Sequence, residues 1–272
     1  MNVAVLTVGD ELLSGDTENT NGTWLARELT ERGADVRRIL ALPDDREAIA
    51  DSVARHSDAF DAVIVTGGIG GTPDDVTVEA VADAFDRDLV VSEQARARIE
   101  QRLSEISESV PELDLDVETE ASVPSGAEPL ANPEGLAPGC RLDNVYVLPG
   151  IPGEMKAMFE TIADDFVGDL DSRFLYTVQP EANIVSELRA VRERFDVRVG
   201  CYPDREARHN RLKLTGSDEQ SLDAATEWLL DAIDASETPS EARGLEWRAV
   251  NETNREQRDA KRSEGSRMAS GE

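Results

Sequence analysis

The segment Val65-Thr66-Gly67-Gly68-Ile69-Gly70-Gly71-Thr72-Pro73-Asp74-Asp75-Val76-Thr77 holds the residue types with the most chemical promise. It follows an apolar run of strand length, Ala62–Thr66, and precedes a helix expected over about Asp74–Phe85. In an open α/β sheet such a turn lies at the carboxyl ends of the strands, where ligands collect. Glycines let the backbone approach a ligand, and free N–H groups at a helix start favour an anion. The spacing is neither a Rossmann fingerprint nor a P-loop, because no Gly-Lys-Ser/Thr follows. A phosphate beside Asp74 and Asp75 would be repelled. A divalent cation such as Mg2+ is the natural mediator, with both aspartates as metal ligands and catalytic candidates. A second reading is structural: Thr72 as N-cap, Pro73 at the first helical position and Asp75 at the third make a capping arrangement. The two are compatible, and spacing alone leaves both open.

Two more loops belong with this one. Leu148-Pro149-Gly150-Ile151-Pro152-Gly153-Glu154-Met155-Lys156 again links a strand to a helix; alone, it needs no more than a tight turn. Gly9-Asp10-Glu11-Leu12-Leu13-Ser14-Gly15-Asp16 is a polar loop after the first strand, and Asn19-Thr20-Asn21 opens the first helix. All three loops should leave the same edge of the sheet. Their candidate ligand contacts are Gly67, Gly68, Gly70, Thr72, Asn19, Asn21, Gly150 and Lys156.

The elements that must position these residues alternate in type. Strands are expected at Asn2–Val8, Val36–Leu42, Ala62–Thr66 and Val145–Leu148. Helices are expected around Leu25 and Leu29, from Asp44-Asp45 to Ser57, and over Asp74–Phe85, Ser92–Ile106 and Pro152–Phe166. This pattern argues for a three-layer α/β/α domain over 1–170, with a parallel sheet and helices on both faces. Pro111 to Pro138 reads as irregular. A small α+β domain over 171–236 follows, with strands near Phe174–Val178, Val197–Tyr202 and Arg211–Thr215 and helices over Glu181–Phe195 and Leu222–Ile233. Residues 237–272 have sparse apolar residues and nearly balanced charge, eight acids against seven bases, and read as a disordered tail.

Composition narrows the function classes. Across 272 residues there are 57 Asp+Glu against 28 Lys+Arg, a formal net charge of −29. Such a surface repels phosphate backbones and anionic lipid, so neither nucleic acid nor membrane is expected as a partner. Apolar runs are strand-sized and no signal peptide is visible. Cys140 and Cys201 cannot form a disulfide framework and indicate a reducing, cytoplasmic setting. His56 and His209 lack metal-ligand spacing and should serve at the surface or as caps. Only three of the bases are lysine (Lys156, Lys213 and Lys261), and this composition resembles that of halophile proteins, whose high salt screens self-repulsion.

The motifs together resemble the molybdopterin-binding domain of MoaB/MogA-type proteins and, more closely, the competence/damage-inducible protein A (CinA) family. Gly9-Asp10-Glu11-Leu12-Leu13 with Asn19-Thr20-Asn21 looks like that family's first motif, and Thr66–Gly70 with Asp74–Thr77 its second. Asn132–Gly139 and Leu148–Lys156 resemble a third and a fourth, while Gly200–Pro203 and Arg211–Thr215 look like its small second domain. Gly71 and Pro73 stand where the pattern usually has Pro and Lys, which removes a lysine that could meet phosphate. No amidohydrolase domain follows, so the deamidase activity of two-part relatives should be absent. The resemblance implies a molybdopterin-like or ADP-ribose-like ligand, a homo-oligomer, and metal-dependent hydrolysis of the ADP-ribose pyrophosphate. The alternatives are a non-catalytic molybdopterin-binding protein and a molybdopterin adenylyl transferase.

Overall fold

The computed structural model describes residues 1–106, 115–207 and 209–239. The chain divides into two compact units between Asp169 and Leu170. The expected tail lies, from residue 240 onward, outside the described residues.

The first unit opens with β1 (Asn2–Val8), α1 (Asp10–Ser14), α2 (Thr20–Glu31), β2 (Asp35–Leu42), α3 (Arg46–Ala59), β3 (Ala62–Thr66) and α4 (Thr77–Ala84). It continues with β4 (Leu89–Val91), α5 (Glu93–Ile106), α6 (Val117–Glu120), β5 (Ser122–Pro124), β6 (Glu128–Leu130), β7 (Gly139–Leu142), β8 (Val145–Leu148) and α7 (Pro152–Ile162). Six strands form one sheet in the order β2-β1-β3-β8-β7-β6. The first four pair in parallel, whereas β7 pairs antiparallel with both β8 and β6. The expected parallel sheet is therefore a mixed one. A tight turn at Asp143-Asn144, with Asp143 at φ 51, joins β7 to β8, and a hairpin needs no crossover helix.

Side-chain alternation builds two cores. Val3, Val5 and Ile64 pack with Leu25, Leu29 and Phe159 from α2 and α7. Ala4, Leu6, Val63 and Val65 pack with Ile49, Val53 and Val81 from α3 and α4. Each fully buried aliphatic or aromatic side chain contributes about 1.5–3 kcal/mol relative to exposure. Because both faces are covered, β1 and β3 read as unbroken apolar runs.

Several boundaries differ from expectation. Asp45 does cap α3, accepting from the Ala48 N–H at 2.8 Å. Helix α4, however, starts at Thr77 with no side-chain cap. The Thr77 N–H donates to the Gly68 carbonyl at 2.9 Å, which fixes the helix start. Thr72–Asp75 forms a separate turn, so the expected capping box does not form on the helix. Gly9–Asp16 is not all loop, since it contains α1, stopped by Gly15 at φ 81. The stretch read as irregular holds α6, β5, β6 and part of its junction with β7. His56 is buried, its Nδ1 2.6 Å from the Ser52 carbonyl and its ring stacked on Phe60; His209 is also buried. Neither is at the surface: His56 rests against Ser52 and Phe60 at its own helix end, and His209 lies edge-on to Tyr176 of the neighbouring strand.

The second unit contains β9 (Asp171–Thr177), α8 (Val185–Arg194), β10 (Arg198–Asp204), β11 (His209–Gly216), α9 (Glu219–Ala232) and β12 (Ala235–Ser236). Its antiparallel sheet has the order β10-β11-β9-β12. Leu175, Leu212 and Leu214 pack with Val191 of α8 and with Leu222, Ala225 and Leu229 of α9. No helix among the described residues is long and apolar enough to cross a membrane.

Candidate functional site

Three loops meet at the carboxyl ends of β1, β3 and β8. The Thr66 hydroxyl donates to the Pro149 carbonyl at 2.7 Å, and the Gly67 N–H to the Leu148 carbonyl at 3.1 Å. Asn21 Nδ2 donates to the Gly150 carbonyl at 2.7 Å and reaches the Thr66 hydroxyl at 3.3 Å. Gly67 has φ +107, and a Cβ there would lie 2.3 Å from the Val8 carbonyl oxygen. A Cβ on Gly150 would lie 3.2 Å from the Gly67 Cα. The glycines at 67 and 150 thus let three backbone segments touch, which side chains would prevent.

Above this floor is a cleft of about 600 Å3. One side is the glycine loop Gly68–Gly71 with Asp75; another is Glu134–Ala137 with Pro149–Ile151 and Glu154; Arg102, Leu115 and Glu120 close it. Asp75 is oriented by its own turn: Oδ2 accepts from the Thr72 N–H at 3.0 Å and the Thr72 hydroxyl at 2.5 Å. A Cβ on Gly70 would lie 2.7 Å from Asp75 Oδ2, and one on Gly71 would lie 2.3 Å from Glu120 Oε1. Two carboxylates therefore rest against consecutive glycines. Burial pushes the Glu120 carboxyl up from its ordinary value, and the charges of Asp75 and Asp116 push it the same way.

The side formed by Glu134–Ala137 and Glu154 is organised by Asn132. Its Oδ1 accepts from the Glu134 and Gly135 N–H groups at 3.2 and 2.8 Å. Its Nδ2 donates to the Ala137 carbonyl at 3.0 Å and to Glu154 Oε2 at 2.7 Å. The described lining carries four carboxylates (Asp75, Glu120, Glu134 and Glu154) against one cation, Arg102, which is itself 3.1 Å from Glu105.

The residues expected from the sequence fall in different places. Gly68, Gly70, Gly150 and Asp75 line the cleft, with Gly67 in its floor and Thr72 in the exposed turn that orients Asp75. Asp74 is exposed and not among the lining residues; its charge acts on Asp44, whose carboxyl is raised first by burial. Asn19 is committed within the protein: Oδ1 accepts from the Gly22 N–H at 2.9 Å and Nδ2 donates to the Thr7 hydroxyl at 2.9 Å. Asn21 ties two loops together, leaving a buried Oδ1 with no hydrogen-bond partner. Lys156 is exposed on α7, its Nζ 5.5 Å from the Trp24 ring centroid, and is absent from the cleft lining. Glu120, Glu134, Glu154 and Arg102 escaped sequence reasoning. Glu120 sits in an acid-rich stretch without periodicity, and no local signal marks it.

Among the described residues, no group of three or more His, Cys, Asp or Glu side chains could by itself hold a metal ion. Asp75 and Glu120 are a pair. Mg2+ keeps several waters and binds through one or two carboxylates plus substrate phosphates. Such a pair fits a cation that arrives with phosphate rather than one caged by protein.

Residues 4–168 match the family described as a probable molybdopterin binding domain, and residues 169–241 match the middle domain of FAD synthase. A protein of Archaeoglobus fulgidus is 37% identical over 227 residues, covering 83% of this chain and 95% of its own length. One from Thermococcus kodakarensis is 38% identical over 240 residues, covering 83% and 94%. The crystal structure of the protein CinA from Thermoplasma acidophilum, its function given as unknown, superposes with a TM-score of 0.56 at 34% identity. That match covers 61% of this chain and 99% of the CinA chain.

Proposed function

The chain belongs to the molybdopterin-binding-domain family, and from that premise we propose that its cleft binds a phosphate-bearing pterin or nucleotide and hydrolyses the pyrophosphate of ADP-ribose or a related compound. The observation that carries this reading is the pairing of Asp75 and Glu120 against Gly70 and Gly71. Four carboxylates facing one arginine reject a bare phosphate. A divalent cation, when bound, would offset that charge, polarise a phosphoryl oxygen and make a water more acidic. Asp75, held in place by Thr72, would be its first ligand and Glu120 its second; Asp74 is not assigned to it. The glycine backbone admits phosphate closely, and Arg102 supplies a positive charge on the side that bears Glu120. Leu115, Leu136 and Ile151 offer apolar contact for a ring system. The acidic, lysine-poor composition supports operation in concentrated salt.

Product analysis tests this. Purified protein in multimolar KCl with ADP-ribose should release AMP with Mg2+ or Mn2+ and none with a chelator. No AMP under any metal would end the hydrolase reading. Tight ligand binding without turnover would then favour a carrier, and nucleotide transfer onto molybdopterin an adenylyl transferase.

A further inference from the structure

The sheet of the second unit has one face under α8 and α9; on the other, Phe174 and Tyr202 are exposed, while His209 at its end is buried. The inner positions are Leu175, Leu212 and Leu214. At the alternate positions stand Phe174 and Tyr176 on β9, Arg211 and Lys213 on β11, and Tyr202 on β10. Register sets Arg211 between Tyr176 and Tyr202, and Lys213 opposite Phe174. Phe174 is 39% exposed and Tyr202 49% exposed, so two large rings face solvent on adjoining parts of one surface.

These groups are arranged, not scattered. The Arg211 guanidinium lies 5.7 Å from the centroids of both the Phe174 and the Tyr202 rings, and Lys213 Nζ lies 5.9 Å from that of Phe174. A Cβ on Gly200 would lie 2.6 Å from the Tyr202 hydroxyl oxygen. The tyrosine therefore lies back over its own strand in space that a glycine leaves open. Burial lowers the Lys213 ammonium from its ordinary value, and Arg211 and Arg198 lower it further; cations crowd this face. The carboxylate at its end is Asp204, opposite His209, and its Oδ1 accepts from the Glu206 and Ala207 N–H groups. In a chain with twice as many acids as bases, that is a local reversal of sign.

We propose that this face binds single-stranded nucleic acid, with bases stacked on Tyr202 and Phe174 and phosphates against Arg211 and Lys213. A sheet surface with exposed rings between cations suits unpaired bases, because every base has a π-face and a flanking phosphate. An acidic protein would use the cations but not the rings, and two copies packed face to face would oppose like charges. The charge of −29 acts against nucleic acid only at short range: the Debye length is about 8 Å at physiological salt and about 3 Å at 1 M. Stacking outlasts the salt that weakens phosphate contacts, so a ring-based platform suits a protein working in brine.

The test uses the full chain and a fluorescein-labelled single-stranded RNA octamer of mixed sequence, read by fluorescence anisotropy at 0.1 and 1 M KCl. Unlabelled duplex of the same sequence and polyglutamate serve as competitors. The single strand should bind and be displaced poorly by either competitor. Tyr202→Ala and Phe174→Ala should each weaken binding by about tenfold. Arg211→Gln should flatten the salt dependence. Tyr202→Leu keeps bulk but not stacking, and should match Tyr202→Ala if the ring itself matters; circular dichroism melts confirm that each variant folds. Absence of binding, or binding untouched by these variants, would overturn the proposal. Equal displacement by polyglutamate would reassign the face to an acidic protein. A fall in mass by light scattering on Tyr202→Ala would reassign it to a second copy.

Discussion

Asp75→Asn separates a carboxylate that holds a turn from one that holds a cation. The parent Oδ2 accepts two hydrogen bonds from Thr72, at 3.0 and 2.5 Å. Asparagine keeps an acceptor oxygen there, so only the charge assistance of those bonds is lost, about 1 kcal/mol at an exposed turn. Removing a negative charge that faces Glu120 acts in the opposite sense. The net change in stability should stay within about 1 kcal/mol, a Tm shift of no more than about 2–4 °C in a domain of this size. Ligand handling should not be so tolerant. With half the carboxylate pair gone, Mg2+ or Mn2+ affinity measured in the presence of nucleotide should fall by about tenfold or more, equivalent to about 1.4 kcal/mol, and metal-dependent turnover should fall with it. A third readout needs no ligand: the Glu120 titration, followed by carboxyl 13C shifts, should move down once Asp75 no longer opposes its ionisation. Unchanged metal affinity in Asp75→Asn would refute the cation role, and an unmoved Glu120 titration would refute the facing pair itself. A collapse of the melt would make this aspartate structural.

Gly67→Ala places a Cβ 2.3 Å from the Val8 carbonyl at φ +107 and should cost roughly 2–4 kcal/mol in urea melts. Glu120 has its folded pKa raised by burial, so its ionisation opposes folding and stability is lost as pH rises from the unfolded value through the folded one. Glu120→Gln should therefore be more stable than the parent at neutral pH, with the difference vanishing below about pH 4; a constant difference across pH would refute that cause. Because the net charge is −29, Tm should climb steeply from low to multimolar KCl, and a flat curve would remove the halophile reading. Burial pushes the Cys140 thiol up to about 12 and the half-buried Cys201 thiol up to about 11. Cys140 should react with a disulfide reagent only in denaturant, and Cys201 slowly in the native protein.

What could be read from the residues depended on periodicity. β3 and β8 stood out as apolar runs because both faces of the sheet are covered, and Asp45 announced α3 through an ordinary cap. The antiparallel half of the sheet did not, since β6 and β7 have three and four residues, too few to show alternation among prolines and acids. The glycine loop was legible for a chemical reason, the need for backbone contact, and Asp75 came with it. Glu120 was not, because it reaches Gly71 across 49 positions of chain and nothing near it in sequence records that contact. Lys156 and Asn19 have types that suit a phosphate site; in the fold one lies over a tryptophan and the other closes a helix end beside Asn21 and Gly150.

The cleft is bounded by materials of unequal stiffness. Its floor is hydrogen-bonded across β1, β3 and β8 and backed by two large cores, so no residue there can shift without disturbing the whole sheet. The side bearing Arg102 and Glu120 belongs to α5, α6 and the pair β4-β5, whose own core is Ala95, Ile99 and Ala121 with a few half-buried neighbours. So small a nucleus opens at lower free energy than the rest. Amides there should exchange first; for a ligand bound as proposed, the size admitted would then be set by how far that side yields, and its orientation by the floor.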